Sequence, residues 1–314
     1  MKITLDISKL VEEGKLTREE ADKLTALAAH DTGSLGINIL IGFGVIAIAA
    51  GAVALVPTPL TAVSLGLALF AAGFAIVLNR VQQWILLGQI CLVIGALMFG
   101  GGVIAYGAGS LASMLIVTGA FALAAIAARS SLLMALAVLA ASACLGARTG
   151  YSDALYSLAI FEPTLTIVLF SALALIAYQA SQRLPADYER LAITAARTSL
   201  LLINFGFWIG SLWGDPLMLL RSMNAKDASL DKTVIPATVF SILWAVVLLG
   251  AGIWAVQVNR RWLVNLVALF AGIHFYTQWF ERLGATPLSV LLGGVVMLAS
   301  AFALWMFNRR VLDA

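Results

Sequence analysis

WILLGQICLVIGALMFGGGVIA, residues 84–105, decides the fold. The stretch carries no charge and is long enough, coiled as a helix, to cross a hydrocarbon layer of about 30 Å. Inside lipid every peptide group has to be satisfied within the protein, which leaves helices and closed barrels. A barrel strand alternates apolar and polar residues over about ten positions. This run is apolar throughout, so it reads as a helix.

Working outward, the same reading applies to nine further segments. The predicted spans are 36–56, 60–78, 84–105, 110–128, 132–147, 163–180, 191–213, 234–256, 262–280 and 287–307. The fifth is short, and only Arg129-Ser-Ser131 separates it from the fourth. Pro57, Pro59, Pro163, Pro216, Pro236 and Pro287 fall in turns or first helical turns, where a missing N–H costs nothing. Composition agrees: 62% of the chain is hydrophobic, 11% is charged, and mean hydropathy is +1.00. A soluble domain is about 45–50% apolar and about 25% charged. The expected fold class is therefore all-α, a polytopic transmembrane helical bundle occupying 36–314.

Residues 1–35 differ from the rest. They hold Lys2, Lys9, Lys15, Arg18 and Lys23 beside seven acidic residues. Ile7, Leu10 and Val11, then Leu16, Ala21, Leu24, Leu27 and Ala28, recur at helical spacing. Gly14 stops a first helix over 6–13, and Thr17 with Glu20 forms a capping box for a second over 17–30. The expectation is a cytosolic amphipathic hairpin whose Leu10, Val11, Leu16, Leu24 and Leu27 dock on the membrane body, a partner protein or a second copy. It lacks the apolar core of a signal peptide.

Positive charge sets the orientation. With the N-terminus inside, 14 of the 19 Lys and Arg residues fall on the inner side, including Arg80, Arg129, Arg183, Arg190, Arg197, Arg260, Arg261, Arg309 and Arg310. Arg148, Arg221, Lys226, Lys232 and Arg282 fall outside. That bias places both termini in the cytoplasm. The basic residues sit singly at helix ends and form no patch, so the net charge of +3 reads as membrane anchoring, with no nucleic-acid partner. Asn79-Arg80, Asn259-Arg260 and Asn308-Arg309 each close an apolar run, through duplicated hairpins or through independent selection of good interfacial residues.

No phosphate or dinucleotide loop is present; the glycines of Gly42-Phe-Gly44, Gly100-Gly-Gly102 and Gly107-Ala-Gly109 belong to helices and let backbones approach. Gly100–Gly102 also leaves room for a broken-helix carrier. His30 and His274 are assigned to opposite halves of the membrane, so they form no metal site, and no cofactor is expected. Cys91 and Cys144 lie about 9 Å apart in depth, too far for a disulfide. No Asp, Glu, Lys or Arg lies mid-span, which disfavours an ion-coupled carrier.

The polar residues within spans supply the candidate site. His274, Gln278 and Glu281 share one face of the ninth helix. With Asn204, Asn265 and Asp215 they outline a polar cleft open to the outside, or else an interhelical hydrogen-bonded contact within an aromatic belt of Trp208, Trp213, Phe275, Tyr276, Trp279 and Phe280. The outer loops add Tyr151, Asp153, Tyr156 and Glu162, then Asp215, Arg221, Lys226, Asp227, Asp231 and Lys232. Converging carboxylates there would serve an enzyme; otherwise they are solvated loop charge.

Both ends of the chain resemble an uncharacterised family of bacterial multi-pass membrane proteins. The resemblance rests on Leu10-Val-Glu-Glu-Gly-Lys-Leu-Thr-Arg-Glu-Glu-Ala21 and Asn38-Ile-Leu-Ile-Gly-Phe-Gly-Val-Ile46 at the start. At the end it rests on Asn265-Leu-Val-Ala-Leu-Phe270, Trp279-Phe-Glu-Arg-Leu-Gly284, Gly293-Gly294 and Asn308-Arg-Arg310. It implies an inner-membrane topology and assigns no residue a role. The reading favoured by the polar cleft is transport or lipid handling. A scaffold docking partners through the hairpin and a membrane enzyme using loop carboxylates stand beside it.

Overall fold

The computed structural model describes residues 11, 14, 16–79, 84–152, 155–217 and 234–310, with side chains outside 22–35, 147–159, 282, 303–304 and 307–310. The chain divides into two compact units, Met1–Ala140 and Ala141–Ala314.

The first unit holds α1 (Arg18–Leu55), α2 (Pro59–Leu78), α3 (Ile85–Tyr106), α4 (Leu111–Ala128) and the start of α5 (Ser131–Cys144). The capping box opens α1 as expected: the Glu20 N–H donates to Thr17 Oγ1, and the Thr17 N–H donates to Glu20 Oε2 at 3.0 Å. The backbone hydrogen bond from Thr17 holds the Glu20 carboxyl below its ordinary range. From there α1 continues unbroken into the first span, so no turn separates 17–30 from 36–55. Of the first arm of the expected hairpin, 6–13, only Val11 lies within the described residues. Leu10, Leu24 and Leu27 fall outside the described side chains, and Val11 and Leu16 are half-buried.

Glycine decides how α2 and α3 pair. Gly66 and Gly73 on α2 face Gly95 and Gly88 on α3, while Gly102 faces the start of α2. A Cβ on Gly66 would stand 2.5 Å from the Phe99 nitrogen, and one on Gly95 would stand 2.6 Å from the Phe70 nitrogen. The two helices therefore touch backbone to backbone. The helix runs straight through Gly100–Gly102, so these glycines serve packing and do not interrupt the span. Ala96, Val117, Phe121, Ala125, Leu133 and Ala137 form a buried cluster among α3, α4 and α5. Arg129 turns α4 into α5 by taking the left-handed conformation (φ 49°), with the Ser130 N–H donating to the Ala125 carbonyl.

The second unit follows α5 with a two-stranded antiparallel hairpin, β1 (Ala147–Ser152) and β2 (Leu155–Ile160), registered Tyr151 opposite Tyr156. It then holds α6 (Pro163–Ser181), α7 (Ala186–Trp213), α8 (Ala237–Gln257), α9 (Arg261–Leu283) and α10 (Pro287–Arg310). The helical bundle is as expected, with the β hairpin as an addition between α5 and α6. Eight helical stretches among the described residues are long and apolar enough to cross a membrane; the described parts of α5 and α10 that qualify as apolar are shorter. The structure thus supports a multi-pass membrane protein with eight candidate spans, fewer than the ten expected.

Two of the Asn-Arg pairs have local explanations. Asn79 ends α2 with its Nδ2 donating to the Ala75 carbonyl at 2.9 Å. Asn259 ends α8 in the left-handed conformation (φ 54°), which asparagine tolerates better than most residues. Each asparagine closes a helix by its own geometry, which favours independent selection over duplication.

Candidate functional site

The six candidates for a polar cleft all fall in the second unit, and its helices put them to different uses. Asp215 is fully buried, where an open cleft would have left it at the lip. Its Oδ2 accepts the Thr164 N–H at 2.8 Å and its Oδ1 accepts the Leu217 N–H at 2.7 Å. Its backbone pairs with Ile235 in both directions. Glu162 precedes α6 without capping it through its side chain, so Asp215 reaches across 51 residues to cap that helix. A carboxylate at a helix N-terminus is also favoured by the helix dipole. The residue is a latch that ties the start of α6 to the backbone at Leu217, Val234 and Ile235.

Asn204 lies between helices. Its Nδ2 donates to the Leu200 carbonyl at 2.8 Å, and its Oδ1 accepts the Trp244 indole N–H at 3.0 Å. Trp244 is fully buried in α8. Its ring stacks against Phe207 and meets His274 edge-on, with centroids 4.9 Å apart at 76°. Trp244 therefore joins two of the sequence-read residues, Asn204 and His274. It is the residue sequence reasoning missed. The signal was available: aromatic belts place Trp at span ends, and one seven residues inside a span needs a partner for its N–H. Nearby, the Trp208 indole N–H donates to Thr277 Oγ1 at 3.1 Å, linking α7 to α9.

His274 also lines a groove of about 610 Å³ between α8 and α9. Eight of the other lining residues are apolar, from Ala245 and Leu248 through Gly252 and Val256 to Val267 and Ala271; the remaining one is Gln257 at the far end. Gln278 is half-buried, and among the described residues its Nε2 meets no hydrogen-bond partner. Glu281 is exposed. Asn265 is exposed and lines a different groove, of about 560 Å³, between α9 and α10. Five of the six thus belong to a latch, an interhelical knot, two grooves and the surface, and Gln278 stands half-buried apart from them.

Of the loop residues, Tyr151 and Tyr156 lie on the paired strands, while Asp153, Arg221, Lys226, Asp227, Asp231 and Lys232 fall outside the described residues. Glu162 is buried beside the latch. Among the described residues no group of three His, Cys, Asp or Glu is placed to hold a metal ion. Cys91 and Cys144 are not joined in a disulfide. Compared with protein families, curated proteins and solved structures, the chain matches none.

Proposed function

We propose that the chain is a membrane protein that handles lipid, taking an acyl chain into the groove between α8 and α9. One observation supports this above the others: the groove's volume of about 610 Å³ falls in the range of ligand sites, and its wall is apolar except for His274 and Gln257. An apolar wall gives a hydrated polar solute nothing in exchange for its water. A hydrocarbon chain loses nothing by entering. His274, braced by Trp244, offers one polar group along an otherwise greasy path. Asn204 supports it from behind, through the tryptophan. The enzyme reading loses ground because both Asp215 oxygens already accept backbone N–H groups.

The test is photolabelling in lipid nanodiscs by a phospholipid with a diazirine in its acyl chain, mapped by peptide mass spectrometry. Label is expected on α8 and α9 peptides. Gly252→Leu and Ala245→Phe, both at groove-lining positions, should cut it about tenfold while the protein stays monodisperse. Label that persists unchanged in both folded variants would refute the proposal.

A further inference from the structure

The groove is greasy along its length and cationic beyond one end. Gln257 ends α8, and the chain turns at once through Asn259 into α9. That turn is tight: the Arg260 N–H donates to the Ala255 carbonyl at 2.9 Å, and the Leu263 N–H donates to the Arg260 carbonyl at 3.0 Å. Arg260 and Arg261, both exposed, therefore stand immediately beyond the groove's Val256–Gln257 end. A third guanidinium, on α7, lies on the other side of α9: Arg197 is exposed, and its Cζ lies 4.8 Å from the Trp262 ring centroid, on the α9 face turned away from Val267, Ala271 and His274. Ala255, Leu263 and Val264 form a buried cluster with Leu200 packed against it, fixing α7 beside this end of α8 and α9.

Three physical points identify the ligand. From Ala245 to Gln257 the groove follows α8 for about 18 Å at 1.5 Å per residue, close to the depth of one leaflet of a layer about 30 Å thick. Arginine holds phosphate oxygens in paired hydrogen bonds, and Arg260 and Arg261 stand at the level where the adjoining Trp262 marks the interface. The acidic residues of α7's first turn, Asp187 and Glu189, lie at least about 12 Å further along that helix. They leave the cationic character of this end in place.

We infer that the α8/α9 groove is a site for an anionic phospholipid, with one acyl chain running from Gln257 toward His274 and the phosphate held by Arg260 and Arg261. This rests on the groove's being a lipid site, and adds the headgroup class and the leaflet, the one on the arginine-bearing side. A free phosphate would use the cations alone and gain nothing from the apolar wall.

The experiment compares two photoactivatable lipids with identical acyl chains, a phosphatidylglycerol and a phosphatidylcholine, in nanodiscs holding the full chain. Groove peptides should label at least about fivefold more with the glycerol lipid, since each basic residue near a surface contributes about that factor. Replacing Arg260 and Arg261 together by Gln should erase the preference by lowering phosphatidylglycerol labelling to the phosphatidylcholine level, with phosphatidylcholine, whose choline cation offsets its phosphate, falling far less. The matched variant Arg183→Gln with Arg190→Gln removes charge from the same side of the chain away from the groove, and should keep the preference. Equal labelling by both lipids in the parent protein, or a preference lost equally in the matched variant, overturns the anionic site while the groove stands. No groove labelling by either lipid overturns the lipid reading itself.

Discussion

The first unit joins its central helices by removing side chains, and the second by aiming them. Between α2 and α3, Gly66, Gly73, Gly88 and Gly95 leave no side chain at the points of closest approach. Among α7, α8 and α9, large side chains bridge the helices: Trp244 to Asn204, and Trp208 to Thr277. Lipid is as apolar as leucine, so no hydrophobic force pulls spanning helices together; close packing and hydrogen bonds have to do it. The two solutions have different consequences. Backbone-on-backbone contact is rigid and has no chemistry to offer. Bridged aromatics hold helices further apart, and the second unit is where a groove meets a histidine.

The largest effect should come from forcing a side chain into the glycine pair. Gly95→Leu would drive atoms into the Phe70 backbone and is expected to cost more than about 3 kcal/mol, beyond the usual range for overpacking. Gly101 is the control, since a Cβ there meets nothing within 4 Å. Gly101→Leu should change stability in detergent by no more than about 0.5 kcal/mol, as for a surface change, and so barely move the thermal midpoint. Equal midpoints for the two variants would mean that α2 and α3 are not in backbone contact.

That contrast also shows what could be read beforehand. Span positions followed from hydropathy, and α3 begins within one residue of its expected start because charge and turn residues mark such limits. The glycine stripe was equally legible. Gly66 and Gly73, then Gly88, Gly95 and Gly102, recur every seven residues, a period that keeps one helix face in contact with a neighbour. The Asp215 latch was not legible in that way. Its partner Thr164 is 51 residues away, and nothing local distinguishes a buried capping carboxylate from a solvated loop one. The β hairpin was hidden for a similar reason, since a short loop with charges at both ends reads as irregular until its strands pair.

The next effect separates the latch from a site residue. Asp215→Asn keeps the shape but replaces one acceptor with a donor facing a backbone N–H. Leaving one buried N–H without an acceptor should cost about 2 kcal/mol. The loss should show as easier proteolysis between Trp213 and Ala237 and a lower thermal midpoint, with acyl-chain labelling of the groove per folded molecule unchanged. A variant of unaltered stability that loses groove labelling would make Asp215 part of the lipid site.

The smallest effect bears on how much the knot holds together the second unit. Trp244→Phe keeps most of the ring packing against Phe207 and His274 but leaves Asn204 Oδ1 without its indole donor. Polar contacts between spanning helices average about 0.6 kcal/mol, because the separated helices find other partners in lipid. Asn204→Leu removes the same bond from the other side, together with the tie to Leu200. If the bond is what couples them, the double variant should lose less than the two single losses combined, by about 0.5–1 kcal/mol, the size expected for residues in direct contact. Strict additivity would reduce Trp244 to a packing residue. The same cycle read on groove labelling carries the functional half: His274 leans on the Trp244 ring and makes no use of its N–H in that edge-on contact, so Trp244→Phe should label nearly as the parent does, whereas Trp244→Ala, which removes the brace, should not.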